Sequence, residues 1–418
     1  MKITDDIQSK LQSVFGYTAF REEQAAIIQS ILDKKNTFVL MPTGGGKSLC
    51  YQIPALIQPG LAIVISPLIA LMKNQVDQLR SLGVNAAFLN STLPKKAVSI
   101  LKESTLAQAL KLLYVAPESL VKDENLAFLQ QAKISFIAVD EAHCISDWGH
   151  DFRPEYRKMK SVLDNAFGRL PMIALTATAT PKVQQDILRN LDIEDANIFK
   201  ASFNRTNLYY EIQPKQQIEK QIVRFIKTQP TGTAGIVYCQ SRKKVEAIAN
   251  LLNVNNIKAA PYHAGLEPGA RIKHQDAFLG GEVDVVVATI AFGMGIDKPD
   301  VRFVIHHDVP RSLEGYYQET GRAGRDGATG TCIMYYNAED AIKLEKLNKS
   351  KSVIEREKAQ TLLQAMVSFV SSGACRRKQL LYYFGETYEA PCNNCDNCQQ
   401  PTAILDGQEW ARWQRNGS

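Results

Sequence analysis

Short apolar runs separated by amphipathic stretches set the rhythm of the first two hundred residues. Thr37–Met41, Ala62–Ser66, Leu112–Val115, Ile134–Asp140 and Met172–Thr176 read as strands buried on both faces. Helix-competent segments lie between them, so the pattern predicts a βαβ series and a mostly parallel sheet. The chain opens with Thr4-Asp5-Asp6 as a helix cap, followed by Ile7, Leu11 and Val14 at helical spacing and Gly16 as the stop. A second series repeats the rhythm at Ala234–Cys239, Ala259–Tyr262, Val283–Thr289, Val301–His306 and Cys332–Tyr336. Between the two series, the polar stretch from Phe203 to Lys215 reads as an interdomain linker. After Asn337 the period becomes helical: Leu362, Leu363, Met366, Phe369 and Val370 form one apolar stripe that ends at Gly373. The expected fold class is α/β, with two domains of similar size followed by a small helical piece. The final residues, with Trp410 and Trp413, have no clear period.

The turn after the first strand carries Thr43-Gly44-Gly45-Gly46-Lys47-Ser48. Glycines there let backbone N–H groups curl around phosphate oxygens at the start of a helix. Lys47 suits the β- and γ-phosphates of ATP, and Ser48 suits Mg²⁺. The full pattern has one more glycine, and Met41 or Pro42 stands in its place. Such a turn alone is a weak sign. Asp140-Glu141-Ala142-His143 strengthens it, because carboxylates at the carboxyl end of a parallel strand suit Mg²⁺ and a water. Asp140 would orient the ion and Glu141 would polarise the attacking water. Upstream, Tyr17, Arg21 and Gln24 offer a ring, a cation and an amide. Gln24 can pair with an adenine edge and Tyr17 can stack on its ring, although Gln24 taken alone also suits a surface helix.

Trp148, His150, Phe152, Arg153 and Tyr156 lie just beyond the acidic tetrad. Aromatic side chains of this kind stack on unpaired bases. Trp148 and Phe152 could instead pack beneath the loop, but His150, Asp151 and Arg153 between them would be costly to bury unpaired. In the second half, Gln318 to Gly327 sets Arg322 and Arg325 on a flexible, glycine-punctuated segment. From an opposite domain, such guanidinium forks can reach a γ-phosphate.

At 418 residues the chain is too long for one ordinary core. A formal charge of +6 permits a nucleic-acid partner without requiring one. No apolar run approaches the roughly 18 residues that span a bilayer, and the N-terminus lacks the apolar core of a signal peptide. A cytosolic location is therefore expected, and with it few disulfides. Of the eight cysteines, Cys50, Cys144, Cys239 and Cys332 read as buried small hydrophobes. Cys375, Cys392, Cys395 and Cys398 have the spacing of a tetrahedral structural Zn²⁺ site. A ferredoxin-type iron–sulfur run would want a cysteine at position 402, where Thr402 stands. Beside the first of these thiols, Arg376, Arg377 and Lys378 read either as DNA contacts or as a solvated helix face.

In order, Phe15–Gln24, Met41–Ser48, Ser66-Pro67-Leu68, Asp140–His143, Thr176-Ala177-Thr178, Tyr238–Arg242, Tyr262-His263-Ala264-Gly265, Val287–Pro299 and Tyr316–Gly327 resemble the motifs of RecQ-family DNA helicases. These are superfamily-two enzymes with two tandem RecA-like domains. The resemblance covers nearly the whole chain. Asp-Glu-Ala-His also occurs in RNA helicases; the Trp148–Tyr156 continuation and the Cys375–Glu386 segment are what resemble RecQ in particular. The resemblance implies RecA-like domains at 1–205 and 206–338, a helical hairpin with a four-cysteine zinc-binding subdomain at 339–405, and a tail at 406–418. It implies ATP contacts by Tyr17, Arg21, Gln24 and Gln318, and DNA-backbone contacts by Ser66, Asn90, Ser241, Arg242 and Thr289. The aromatic loop would sense single-stranded DNA and gate hydrolysis.

The function implied is an ATP- and Mg²⁺-dependent DNA motor, with Zn²⁺ in a folding role, moving 3′ to 5′ in DNA recombination and repair. Its expected partners are single-stranded and tailed duplex DNA, with single-stranded-DNA-binding or repair proteins beside them. No membrane partner is expected. A monomer in the cytoplasm, at the nucleoid if bacterial, completes the expectation. Family members commonly continue into a winged-helix and a further C-terminal domain. This chain ends about twenty residues after Cys398, so both are expected to be missing. That puts strand separation in more doubt than ATPase activity. An RNA helicase, or a nucleotide-controlled DNA-binding and annealing module, are the alternatives.

Overall fold

In the computed structural model, residues 2–149, 151–293, 298–349, 352–389 and 391–399 are described, without the side chains of 2–5 and 70. His150 and the expected tail at 406–418 lie outside the described residues. The chain divides into two units, Met1–Phe203 and Asn204–Ser418.

The apolar runs of the first unit become a seven-stranded sheet. Its strands are β1 (Thr37–Leu40), β2 (Leu61–Ile65), β3 (Ala86–Leu89), β4 (Leu112–Val115), β5 (Ile134–Val139), β6 (Met172–Thr176) and β7 (Asn197–Lys200). They pair in parallel in the order β3-β4-β2-β5-β6-β1-β7. Because β5, β6 and β1 are neighbours, the loops leaving their carboxyl ends lie side by side, where open α/β sheets bind ligands. The apolar pattern foresees all but β3 and β7. β3 contains two alanines, and β7 is an edge strand whose residues are mostly exposed. The first helix, Lys2–Phe15, runs through Thr4–Asp6, so the expected cap lies inside it.

The second unit forms a six-stranded parallel sheet. β8 (Leu208–Pro214), β9 (Gly235–Tyr238), β10 (Ala259–Tyr262), β11 (Val285–Ala288), β12 (Phe303–His306) and β13 (Gly330–Tyr336) are arranged as β10-β11-β9-β12-β13-β8. β8 overturns the reading of Phe203–Lys215 as a linker. It is an edge strand, and Leu208 and Tyr210 face the core while Tyr209 and Glu211 are half-buried between them. That period-two burial is legible once one face is known to be covered.

What covers it is the helical C-terminal region. The helix Val353–Ser371 starts in a capping box of Ser352 and Glu355 and buries Leu363, Met366, Phe369 and Val370. One core runs without a break from Leu208, Val304 and Tyr316 to Phe369, Leu380 and Cys395. Burying a side chain such as Phe369 contributes about 1.5–3 kcal/mol, so the stripe fixes the helix to the sheet. Among the described residues, no helix is long and apolar enough to cross a membrane.

Candidate active site

In the first unit, β1 feeds a loop at 41–48 and then the helix Leu49–Ile57. Met41 N donates to Thr176 O at 3.1 Å, which ties the loop to the end of β6. Gly46 has φ +78°, and a Cβ on it would stand 2.4 Å from Gln24 Nε2. The positive φ calls for glycine there, and a side chain would also displace the Gln24 amide. Gln24 is buried against the loop: its Nε2 donates to Gly45 O and Gly46 O at 3.2 Å each, and its Oε1 accepts from Arg21 N at 2.9 Å. Arg21 Nη1 donates to Gly44 O at 3.1 Å. Lys47 Nζ donates to Met41 O and Pro42 O at 3.0 and 3.3 Å, and Thr43 and Ser48 are half-buried beside it. Tyr17 is 52% exposed.

At the end of β5, Asp140 and Glu141 are buried. Burial pushes the Asp140 carboxyl up, while the nearby Lys47 charge and the Glu141 N–H, which donates to Oδ1 at 3.0 Å, hold it down. The Asp140 and Glu141 carboxylates and the Ser48 hydroxyl are hard oxygen donors, a donor chemistry that fits Mg²⁺. Glu141 has a left-handed backbone, φ 50° and ψ 45°, at a cost of about 1–2 kcal/mol for a residue with a Cβ. The buried His143 ring locks this arrangement. Its Nδ1 lies 3.3 Å from Glu141 Oε2 and 2.9 Å from Thr176 Oγ1. Thr178 N in turn donates to Thr176 Oγ1 at 3.3 Å.

The aromatic loop continues from this point. Arg153 Nη1 donates to Pro67 O at 2.9 Å, and its Nη2 pairs with Asp151 at 3.3 Å. Arg153 N donates to Cys144 O at 2.9 Å, so the two ends of the loop meet. Between these anchors Trp148 is 47% exposed, with Lys182 Nζ 3.0 Å from the ring centre. Phe152 is half-buried beneath the Arg157 guanidinium, 5.8 Å away. Ser66 and Asn90, at the carboxyl ends of β2 and β3, are buried below the surface that was expected to meet a backbone phosphate.

In the second unit, the helix Leu313–Thr320 delivers half-buried Gln318 and then the loop with Arg322 and Arg325. Arg322 is buried beneath it, beside Tyr238. Burial pushes the Tyr238 hydroxyl up to about 12, against the Arg322 charge and hydrogen bond that hold it down. The Tyr238 ring stacks on His306 at 5.4 Å, and His306 Nε2 meets Glu319 Oε2 at 2.8 Å. The loop is tied through its main chain. Arg205 Nη2 donates to Ala323 O and Gly324 O, both at 2.9 Å, and Asn207 Nδ2 donates to Gly324 O and Ala328 O at 2.9 and 2.7 Å. Gly324 has φ +57°, and a Cβ on it would strike Ala328 O at 2.4 Å, so its glycine serves close packing. Ser241 caps the helix Arg242–Val254, with Lys244 N donating to its Oγ at 3.2 Å. Thr289 Oγ1 accepts from Ala291 N at 3.3 Å.

The Sγ atoms of Cys375, Cys392, Cys395 and Cys398 all lie within 4.8 Å of one another. Four sulfurs held about 2.3 Å from a tetrahedral centre stand about 3.8 Å apart, and Cys392 and Cys398 are separated by 3.9 Å. The Cys395 thiol donates to Cys375, which pulls the Cys375 thiol down to about 4 and pushes Cys395 up. Four sulfurs this close cannot all ionise without a cation among them, so the cluster fits Zn²⁺.

Three family profiles match in turn: DEAD/DEAH box helicase over residues 21–187, helicase conserved C-terminal domain over 216–327, and RecQ zinc-binding over 338–399. The ATP-dependent DNA helicase RecQ of Bacillus subtilis is 41% identical over 402 residues, which cover 96% of this chain and 68% of that protein. The chain belongs to the RecQ family. The ATP-dependent DNA helicase RecQ of Haemophilus influenzae is 48% identical over 400 residues, 96% of this chain and 64% of its own length. The chain thus spans less than two thirds of that RecQ relative. The Mycobacterium smegmatis helicase Lhr bound to ssDNA and AMP-PNP superposes with a TM-score of 0.62 at 19% identity, over 89% of this chain and 54% of that one. At that identity the likeness shows the fold: two RecA-like domains with parallel sheets, followed in this RecQ-family chain by the helical zinc-binding region.

Sequence reasoning misjudged the basic run beside Cys375. Arg376 and Arg377 are buried; only Lys378 is exposed. Arg376 pairs with Asp396 at 3.0 Å and donates to Phe369 O and Ser372 O. Arg377 donates to Asn204 Oδ1 at 2.9 Å and Leu208 O at 2.7 Å. Reasoning also missed Arg205 and Asn207, whose acceptors are main-chain carbonyls more than a hundred residues away. Lys182, over Trp148, lay outside every motif.

Proposed function

We propose that this chain is the ATP- and Mg²⁺-dependent motor of a DNA helicase, moving 3′ to 5′ on the strand it loads and serving DNA recombination and repair. One observation carries this reading. The carboxylates at 140–141 and the exposed ring at 148 hang on one connection, tied through His143 to Thr176 and through Arg153 to Pro67. Support for DNA over RNA comes from the names of the relatives, which are ATP-dependent DNA helicases.

In this reading Lys47 and the N–H groups of Thr43, Gly44, Gly45 and Gly46 hold the phosphates. Ser48 and Asp140 offer oxygens to Mg²⁺, which supplies charge neutralisation at the phosphates. Tyr17, Arg21 and Gln24 hold the adenine, with Gln318 near the nucleotide. Glu141 accepts the proton of the attacking water. Arg322 and Arg325 neutralise the charge that develops on the transferred phosphoryl group. Trp148 and Phe152 hold an unpaired base, with His150 and Arg153 at its backbone. Ser241, Arg242 and Thr289 grip phosphates without reading sequence. Stacking is worth about 1–3 kcal/mol per base. Unstacking one duplex step costs about 1.4 kcal/mol. The loop can therefore hold a melted base, and hydrolysis must drive repeated opening. Zn²⁺ on the four thiolates is structural. The motor acts as a monomer in the cytoplasm on single-stranded and tailed duplex DNA, beside single-stranded-DNA-binding or repair proteins.

ATP turnover measured with and without single-stranded DNA, and with RNA as competitor, tests the reading. Turnover should rise about tenfold or more with DNA alone. Glu141→Gln should lower it by about 10² to 10⁴ while nucleotide binding survives. Turnover indifferent to DNA would overturn the proposal. A tailed duplex opened only from its 3′ tail checks the polarity.

A further inference from the structure

The stretch that opens the second unit grips the arginine loop from one side and is itself gripped from the other. Arg205 spreads its guanidinium over three carbonyls, with Nη1 on Gly321 O at 3.2 Å and Nη2 on Ala323 O and Gly324 O at 2.9 Å each. Asn207 Nδ2 adds Gly324 O and Ala328 O, and Gly330 N returns a bond to Asn207 O at 3.0 Å. These carbonyls bracket Arg322 and Arg325. From the far side, Arg377 holds Asn204 Oδ1, Arg205 O and Leu208 O. Asn394 Nδ2 holds Thr206 O and Leu208 O at 3.0 Å each. Arg377 lies two residues after Cys375, and Asn394 lies between Cys392 and Cys395.

We propose that Arg205 and Asn207 are positioning residues for the arginine loop, and that Arg377 and Asn394 link that positioning to the cysteine cluster. The inference rests on the reading that Arg322 reaches the nucleotide. Charge alone does not explain the geometry, because the planar fork meets the three carbonyls through two separate nitrogens, where an ammonium would offer a single one. A misplacement of about 1 Å can cost on the order of 10²-fold in rate. Loosening the loop should therefore act on turnover and spare nucleotide binding.

The test compares Arg205→Ala, Arg205→Lys and Asn207→Ala with Arg322→Ala in the zinc-replete chain. Each of the first three should lower DNA-stimulated kcat about 10- to 100-fold and leave KM for ATP within about threefold. Amide hydrogen exchange should quicken at Gly324 and Gly327 while the amides of β12 and β13 keep their protection. Asn207→Ala added to Arg322→Ala should cost little more, since both act through one group. Asn394→Ala should give a weaker form of the same pattern.

Full activity in Arg205→Lys would overturn the fork geometry. Multiplicative losses in the double variant would overturn the link to Arg322. A fall in β13 protection matching the fall in turnover would mean a merely structural role. If Arg322→Ala leaves turnover intact, the nucleotide reading fails, and exchange at Gly324 and Gly327 still decides whether Arg205 and Asn207 hold the loop.

Discussion

Two of the loops to which the proposed function assigns roles are held in different ways. The aromatic loop is tied mostly through side chains, by Arg153 on Pro67 O, Arg157 on Asp147 and Trp148 N on Ser146 Oγ, and the half-exposed Trp148 ring lies against Lys182. The arginine loop is pinned along its length, through the carbonyls of Gly321, Ala323, Gly324 and Ala328, and Arg322 is buried. The difference matches the task proposed for each. A base arrives in many orientations, so a side chain that stacks on it gains from freedom. A developing phosphoryl charge has one location, so the group that meets it must already be there.

The comparison can be broken from either side. Arg322→Ala should have the largest effect, about 10³-fold or more on turnover with and without DNA alike, read as steady-state hydrolysis. Trp148→Ala should lower only the DNA-stimulated part, by roughly tenfold, as loss of one stacking contact worth about 1–3 kcal/mol suggests. Equal loss of basal turnover there would mean that the two loops are not different in kind. Asp151→Asn should have the smallest effect. It removes one partner of a half-exposed ion pair, worth about 0–1 kcal/mol. The DNA concentration for half-maximal stimulation should rise no more than a few-fold, and basal turnover should hold. A loss as large as that of Trp148→Ala would show that the side-chain ties, not the ring, carry the sensing.

The sequence made the nucleotide loop, the acidic pair, the thiol cluster and most strands readable, because each is a local pattern. Glycines around a phosphate, carboxylates after an apolar run and cysteines at ligand spacing all sit within a short stretch of chain. The clamp was unreadable for the opposite reason. The acceptors of Arg205, Asn207 and Arg377 are mostly peptide carbonyls, which every residue has, so no side chain advertises them. In the same way the run 376–378 reads from the sequence as DNA contacts or a solvated face: charge is visible in a sequence, but the burial of Arg376 and its pairing with Asp396 depend on the chain returning twenty residues later. β8 looked like a linker because an edge strand with one covered face shows only weak alternation.

One consequence of β8 concerns synthesis. It is the first strand of its unit to leave the ribosome, yet its neighbours come last: Gly324 is 117 residues downstream of Asn207, Leu208 waits 169 residues for Arg377, and Ile212 waits 184 for Asp396. Contacts so far apart along the chain are slow to form. The half-made unit therefore carries an unpaired strand edge until β13, which begins at Gly330, emerges to close it.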